Sequence, residues 1–474
     1  MNKKKIGNEI VDAYLEPKFV DEINKQIKVR DKRRDKSILD ELEPKAKEKQ
    51  ELTTLITSYA NKIDLARQFL EIVPFYYDKA GIWWRWDSAK KCWTMSDDIE
   101  VLNLVEGSSN ANIINSKERT EIINAVKQNA RRNKPKDPEN SWIQFKDDII
   151  DLETGERFEA TSEYFLTNPI PHSLGRTEET PIMDKLFEEW VGKKYVKTLH
   201  QIVSYCLLRD YPLHRIFCLL GAGMNGKSSF MELLRNFIGT YNCCATDLDT
   251  LMISRFEATR LYKKMMCELG ETNFAELNRT SKLKKLTGND LISYEFKQKN
   301  LFEDKNYAKI IISTNNLPTT DDKSLGFYRR WLILDFPFSF SEKIDIIKTI
   351  PEEEYENLGT KSIGVLINLL KKRRFHNEGT VKDRMEKFEA KSDFLQKFLE
   401  DFTEEYVDGY ITKKDFSIKF ADWCKENRHR KMSDTSIGLN MKKKGIESST
   451  KHFDWMFDGR GGNARIWRGI KWKE

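Results

Sequence analysis

The hydrophobic and polar pattern divides the chain into four stretches. Residues 1–64 carry isolated apolar positions such as Ile23, Ile27, Ile38 and Leu42 among alternating charges, and predict a solvated helical arm or a partly disordered one. From Leu65 to residue 175 aromatic and β-branched runs alternate with turn signals and predict an α+β domain. Its strands include a hairpin of Ile82–Trp86 with Lys91–Met95, then Trp142–Phe145, Ile149–Leu152 and Arg157–Phe158. An irregular connector, Asn168 to His172, leads into apolar positions at helical spacing: Leu186, Trp190, Val196, Leu199, Ile202, Val203 and Cys206. Within residues 176–380 the short apolar runs Ile216–Leu220, Met265–Cys267, Ala308–Ser313 and Trp331–Phe336 alternate with helical patterns and each ends in a polar group. That alternation predicts a mostly parallel sheet covered on both faces, with reactive groups at the carboxyl ends of the strands. After a charged connector, Lys371 to Lys391, residues 381–474 show helical spacing at Phe394, Phe398 and Phe402, and a short strand at Tyr410 and Ile411. Thr412 and Asp415 read as a capping box, and Ser433 or Asp434 starts a further helix. Two strand patterns, about Ile446–Phe457 and Ala464–Trp472, complete three helices and a β hairpin, the makeup of a winged helix. The expected class is thus multidomain α/β.

Composition narrows the function classes. Charged residues are 33% and hydrophobic ones 39% of the 474, and no apolar run approaches the roughly 18 residues of a membrane span. The lysine-rich start has no apolar segment behind it, so the expected location is cytoplasmic, without membrane contact. Seven cysteines without a C-x-x-C pair read as buried apolar side chains in a reducing compartment. Charge is uneven: from Ile411 onward sixteen Lys and Arg face eight Asp and Glu, against a net +6 for the whole chain. A basic terminal module on a nearly neutral body is the footprint of nucleic-acid binding.

The chemistry begins at GAGMNGKS, Gly221 to Ser228, which fits the phosphate-loop pattern G-x-x-x-x-G-K-[ST] between a strand and a helix. Gly221, Gly223, Asn225, Gly226, Lys227, Ser228 and Ser229 are the expected contacts to ATP. Backbone N–H groups would wrap the phosphates, with Lys227 on the β and γ phosphates and the Ser228 hydroxyl on Mg²⁺. Hydrolysis further needs a held metal, an oriented water and positive charge. Glu268, ending the second apolar run, is the candidate metal acid and Glu271 the candidate that polarises water; either is also a plausible helix cap. Asn315 is a candidate γ-phosphate sensor, and Arg329 and Arg330 are candidate arginine fingers. Between them a predicted hairpin exposes Lys297 and Lys299 at its tip, suited to phosphates of a single strand or simply solvated.

The order GAGMNGKS, MMCELGE, KKLTGND with YEFKQK, IIISTNN and FYRRW, all within Gly221 to Arg330, resembles the superfamily III helicases, in the phage, plasmid and poxvirus primase-helicase branch. WIQFKDDIIDLETGERF through TNPIPHSL is similar to the region preceding the ATPase in that branch. The resemblance implies a P-loop, AAA+-like hexameric ring ATPase that translocates on single-stranded DNA, 3′ to 5′ in the family's better-known members. In it Lys227 and Ser228 bind phosphate and Mg²⁺, Glu268 is the metal acid, Asn315 the sensor, Lys297 the channel lysine, and Arg329 or Arg330 the finger. Many members carry two consecutive acids where Leu269 follows Glu268 here, which leaves the water-activating carboxylate open, with Glu271 preferred.

The carboxyl end is similar to the winged helix of the same helicases, with Lys442, Lys443, Lys444 and Arg460 as duplex contacts; such a module also serves for protein docking. The first 210 residues lack an Asp-x-Asp on a strand, so no primase activity is expected and priming would fall to a separate primase. The expected function is an ATP-dependent helicase or replication initiator of a phage or mobile element. The alternatives are a ring ATPase that melts or loads DNA without processive unwinding, and a nucleotide-gated protein-docking switch.

Overall fold

The computed structural model describes residues 61–108, 115–221, 223–270, 277, 279–340, 346–426, 432–453 and 461–473. The described residues fall into two compact units: those of 61–86 with 94–135, and those of 87–93 with 136–473.

In the first unit helix α1 (Lys62–Ile72) starts at Asn61, whose side chain accepts from the Ile63 N–H at 3.1 Å. Strands β1 (Phe75–Tyr77), β2 (Trp83–Asp87) and β3 (Cys92–Ser96) come next, in the order β1-β2-β3, and include the hairpin expected at Ile82–Met95. Helices α2 (Asp98–Gly107) and α3 (Ser116–Ala130) complete it, α3 opened by an Asn115/Glu118 capping box. Leu65, Phe69, Phe75, Trp83, Val101, Ile122 and Val126 form its core, so Trp83 is a packing residue.

The second unit opens with a small antiparallel sheet, β4 (Trp142–Gln144), β5 (Ile149–Asp151) and β6 (Arg157–Phe158). The sequence pattern places these strands in one domain with residues 65–135. They belong instead to the larger unit, because Ile143, Phe145 and Ile150 enter the same apolar core as Leu186, Leu199 and Phe217. Helices α4 (Pro181–Val191) and α5 (Lys193–Tyr205) form the predicted helical layer. Thr180 gives α4 no side-chain cap; Glu354, distant in sequence, accepts from the Ile182 and Met183 N–H groups at 2.9 and 3.0 Å instead.

The central sheet consists of β7 (Ile216–Leu220), β8 (Cys243–Thr246), β9 (Met266–Leu269), β12 (Lys309–Thr314) and β13 (Trp331–Asp335), all parallel, in the spatial order β13-β7-β12-β9-β8. Between them lie α6 (Lys227–Ile238), α7 (Leu248–Ile253), α8 (Thr280–Leu286), the antiparallel hairpin β10 (Leu291–Tyr294) and β11 (Phe302–Lys305), and α9 (Leu325–Tyr328). Strand β7 is fully buried, as a strand covered on both faces must be, and α6 turns Phe230, Met231, Leu234 and Phe237 into the core.

Helix α10 (Glu352–Lys372) leads to α11 (Val381–Ser392), where a charged connector was expected. Lys382, Asp383, Glu386, Glu389 and Lys391 of α11 are exposed, Arg384 is buried beside Glu378, and Phe388 packs on Trp331 with ring centroids 4.8 Å apart. The carboxyl-terminal module comprises α12 (Phe394–Phe402), β14 (Thr403–Thr412), α13 (Lys413–Glu426), α14 (Asp434–Lys443), β15 (Glu447–Phe453) and β16 (Gly462–Trp472). Its antiparallel sheet has the order β14-β16-β15 over a core of Leu395, Phe398, Phe416, Phe420, Ile437, Met441 and Trp467. The expected short strand at Tyr410 is the end of a ten-residue strand whose register breaks between Glu405 and Tyr410. Gly409 lies in that break, where a Cβ would come within 2.8 Å of the Ile470 carbonyl oxygen. The Asp415 N–H donates to Thr412 Oγ1 at 3.0 Å, one half of the expected capping box, while the Thr412 hydroxyl donates to the Asp415 carboxylate at 2.6 Å. Among the described residues no helix is long and apolar enough to cross a membrane.

Candidate functional site

The loop from Gly221 to Gly226 joins the end of β7 to the first residue of α6, Lys227, at the carboxyl edge of the parallel sheet. Two glycines have steric reasons to be there. A Cβ on Gly221 would meet Asn225 Nδ2 at 2.1 Å and the Phe336 carbonyl oxygen at 2.5 Å. Gly226 has φ +88°, and a Cβ there would strike the Trp190 indole at 2.4 Å. Asn225 ties the loop to the chain beyond β13 by donating Nδ2 to the Phe336 carbonyl at 3.0 Å, and the Phe340 N–H donates to the Met224 carbonyl at 2.7 Å.

Lys227 is buried, and its ammonium donates to the Gly221 carbonyl at 2.6 Å, Asn225 Oδ1 at 2.9 Å and Asn315 Oδ1 at 3.4 Å. These named acceptors are carbonyl and amide oxygens that orient the ammonium. Asn315 directly follows β12, whose Thr314 is level with Leu220. The fold therefore brings Gly221, Asn225, Lys227 and Asn315 together, while Ser228 is exposed on the first turn of α6 and Ser229 is half-buried beside it.

Glu268 sits elsewhere. It is in register with Ile311, and Ile311 with Phe217, three positions short of the Leu220 edge or about 10 Å along a strand. Its carboxylate is ion-paired to Arg235 of α6. Sequence reasoning misses this Arg235 contact, because nothing local relates a residue on the helix to one two strands away. Glu271 lies outside the described residues.

The two arginines differ sharply. Arg330 is buried, donating Nε to Thr287 Oγ1 at 3.0 Å, Nη2 to the Lys284 carbonyl at 3.2 Å and Nη1 to the Gly326 carbonyl. Burial pushes its pKa down from the ordinary arginine value. Arg329 beside it is exposed. Lys297 and Lys299 are exposed at the tip of the β10–β11 hairpin, in which Tyr294 stacks on Phe302 at 5.6 Å and Gln298 turns the chain with φ +60°.

A cleft of about 620 Å³ opens from Gly221, Gly223, Asn225 and Asn315 toward α11 and α12, with Lys391 and Lys397 among its lining residues. Asp335, at the end of β13, also faces it. Burial works to raise the Asp335 pKa, but hydrogen bonds and charge from Lys387 at 2.8 Å and Lys391 at 3.1 Å hold it below the usual carboxylate range. At the end of α14, Lys442 and Lys443 are exposed, whereas Lys444 donates to Asp393 and Gln396; Arg460 lies outside the described residues.

Residues 219–330 match a family described as "Family of unknown function (DUF5906)", a span that runs from the end of β7 to Arg330. Over 286 residues, 57% of this chain, the sequence is 24% identical to a protein of Acanthamoeba polyphaga mimivirus named "Putative helicase L207/L206". The match covers 29% of that relative, so the chain spans less than a third of its length. Among solved structures, the apo A form of the NrS-1 C-terminal region is similar at a TM-score of 0.45 and 14% identity, covering 87% of this chain and 100% of that one. The apo structure of the NrS-1 C-terminal region 305–718 gives the same values.

Proposed function

We propose that the chain is an ATP-driven DNA helicase or replication initiator of the superfamily III type, belonging to a phage or other mobile element. It works as a hexameric ring on single-stranded DNA, with duplex DNA held by a carboxyl-terminal winged helix. The observation that carries this reading is the buried Lys227 ammonium, held by Gly221, Asn225 and Asn315 at the carboxyl edge of the sheet. The strand order, fifth-first-fourth-third-second along the chain, is the arrangement of an AAA+-like P-loop core and supports the same reading. The viral relative carries a helicase name, which agrees with it.

The loop fits a triphosphate: its two constrained glycines keep the backbone open to phosphate oxygens, and α6 presents its N-terminus to them. Bound ATP with Mg²⁺ supplies the phosphoryl group that passes to water. Lys227 would hold the β and γ phosphates, Ser228 the metal, and Asn315 the γ phosphate or the water. Glu268 serves the metal only by giving up Arg235, and three positions further along the sequence stands Glu271, the preferred base for water. Arg329, being exposed, is the better finger for a neighbouring subunit, since Arg330 is already bonded within its own fold. Lys297 and Lys299 would grip the strand in the channel, and Lys442 and Lys443 the duplex.

Strand displacement on a forked substrate with ATP and Mg²⁺ tests the reading. Displacement by the wild type and none by Lys227→Ala is the expected result. DNA-stimulated hydrolysis without displacement would favour a ring that melts or loads DNA. Hydrolysis indifferent to DNA would favour a nucleotide-gated switch that docks protein, with priming and unwinding done by other chains.

A further inference from the structure

The first turn of α12 makes two contacts in opposite directions. On one side Lys444, directly after α14, donates Nζ to Asp393 Oδ2 at 2.6 Å and to Gln396 Oε1 at 2.7 Å. On the other side Lys397 donates Nζ to Asn316 Oδ1 at 3.1 Å, one residue beyond Asn315. Asp393 is also the N-cap of the helix, accepting from the Gln396 N–H at 2.9 Å. Three residues within a single turn thus join the basic end of α14 to the tip of β12.

The same helix is built into both neighbours. Leu395, Phe398 and Leu399 are buried in the core of the carboxyl-terminal module, which also receives Ile437 and Met441 from α14. Asp393, Gln396 and Lys397 line the cleft whose opposite wall is Gly221, Asn225 and Asn315. A shift of α12 therefore changes the cleft and the seating of α14 together. Both ends of the linkage carry lysines. Negative charge in the cleft attracts Lys391 and Lys397, and phosphates drawn to the exposed Lys442 and Lys443 act next to the lysine that holds Asp393.

We propose that the first turn of α12 couples the nucleotide cleft to duplex DNA bound by the carboxyl-terminal module, through Lys444–Asp393/Gln396 on one side and Lys397–Asn316 on the other. The coupling rests on the proposed binding of nucleotide at Lys227 and of duplex at Lys442 and Lys443. Coupling of this kind is reciprocal: the factor by which duplex changes nucleotide affinity equals the factor by which nucleotide changes duplex affinity.

The experiment measures both factors on the 474-residue chain, using a non-hydrolysable ATP analogue with Mg²⁺ and a fluorescein-labelled duplex. The expected wild-type factor is about 5-fold or more in either direction, equal in the two titrations. It should fall toward one in Asp393→Asn, which keeps a capping side chain, in Lys444→Met, which keeps the apolar stem, and in Lys397→Met. Because the readout is a ratio, a change in either binary affinity does not imitate the loss. A wild-type factor of one, with analogue binding that Lys227→Ala removes, overturns the coupling and leaves the nucleotide reading standing. A factor retained in all three variants also overturns it. Failure of the wild type to bind the analogue refutes the underlying reading and the coupling with it.

Discussion

Gly226→Ala tests the loop geometry most directly, because two independent costs meet at one atom. A residue with a Cβ at φ +88° adopts a left-handed conformation at about 1–2 kcal/mol. The new methyl would also lie 2.4 Å from Trp190 Cδ1 and 2.6 Å from its Nε1. Trp190 is 4% exposed and packed edge-on to Phe230 with centroids 6.2 Å apart, so it has little room to retreat, and overpacking of that kind costs about 1–3 kcal/mol. The expected loss is about 2–5 kcal/mol. Hydrogen exchange of peptides spanning residues 216–238 reads it, since it reports local opening of β7 and α6 in a chain too large for one two-state midpoint. Gly223→Ala is the control: a Cβ there meets nothing within 4 Å, and the change should stay within about 0.5 kcal/mol. In a Trp190→Leu background the clash disappears and only the conformational cost of about 1–2 kcal/mol should remain. Equal effects at Gly223 and Gly226, or a Gly226 loss undiminished in the Trp190→Leu background, would refute the reasoning.

Arg330→Ala should destabilise the sheet unit by several kcal/mol, since it leaves Thr287 and the Lys284 and Gly326 carbonyls without their donor at about 1–3 kcal/mol per buried group. Arg329→Ala should leave thermal unfolding unchanged while lowering ATP turnover about a thousandfold or more, the order of an arginine finger's contribution; equal loss of stability in both would end that distinction. Lys309 is fully buried, donating to the Tyr307 carbonyl at 2.8 Å and to that of Leu208, and burial pushes its pKa from 10.5 to about 7. Between those values the unfolded chain holds a proton that the folded one releases, so stability contributed here rises with pH from about 7 to 10.5. Urea titrations at several pH values should show that rise in the wild type and a flatter profile in Lys309→Met. Duplex affinity should fall with salt, and removing Lys442 and Lys443 together should reduce the slope of log K against log salt by about 2, with a smaller change for Lys444→Ala alone.

Much of the organisation was legible from local pattern alone. Apolar runs bounded by polar tips located β7, β9, β12 and β13, and the glycine spacing located the loop before α6, because strand burial and a backbone turn with positive φ at Gly226 impose rules on neighbouring residues. The Thr412–Asp415 cap and the Lys297–Lys299 tip were legible for the same reason. Other features depend on contacts between distant parts of the chain. The charges of residues 371–391 concealed a helix whose Phe388 packs on Trp331 of β13. Strands 142–158 joined the larger unit because Phe145 and Ile150 found their core there. Two adjacent arginines looked interchangeable until the fold buried Arg330 against Thr287 and left Arg329 outside. Glu268 read as an edge carboxylate until parallel register set it three positions inward, beside Arg235. By itself the sequence determined which residues form the loop, strands and caps, since those depend on spacing along the chain. Tertiary structure decided which charges remain available for chemistry, because availability depends on what a side chain meets after strands and helices far apart in sequence are packed together.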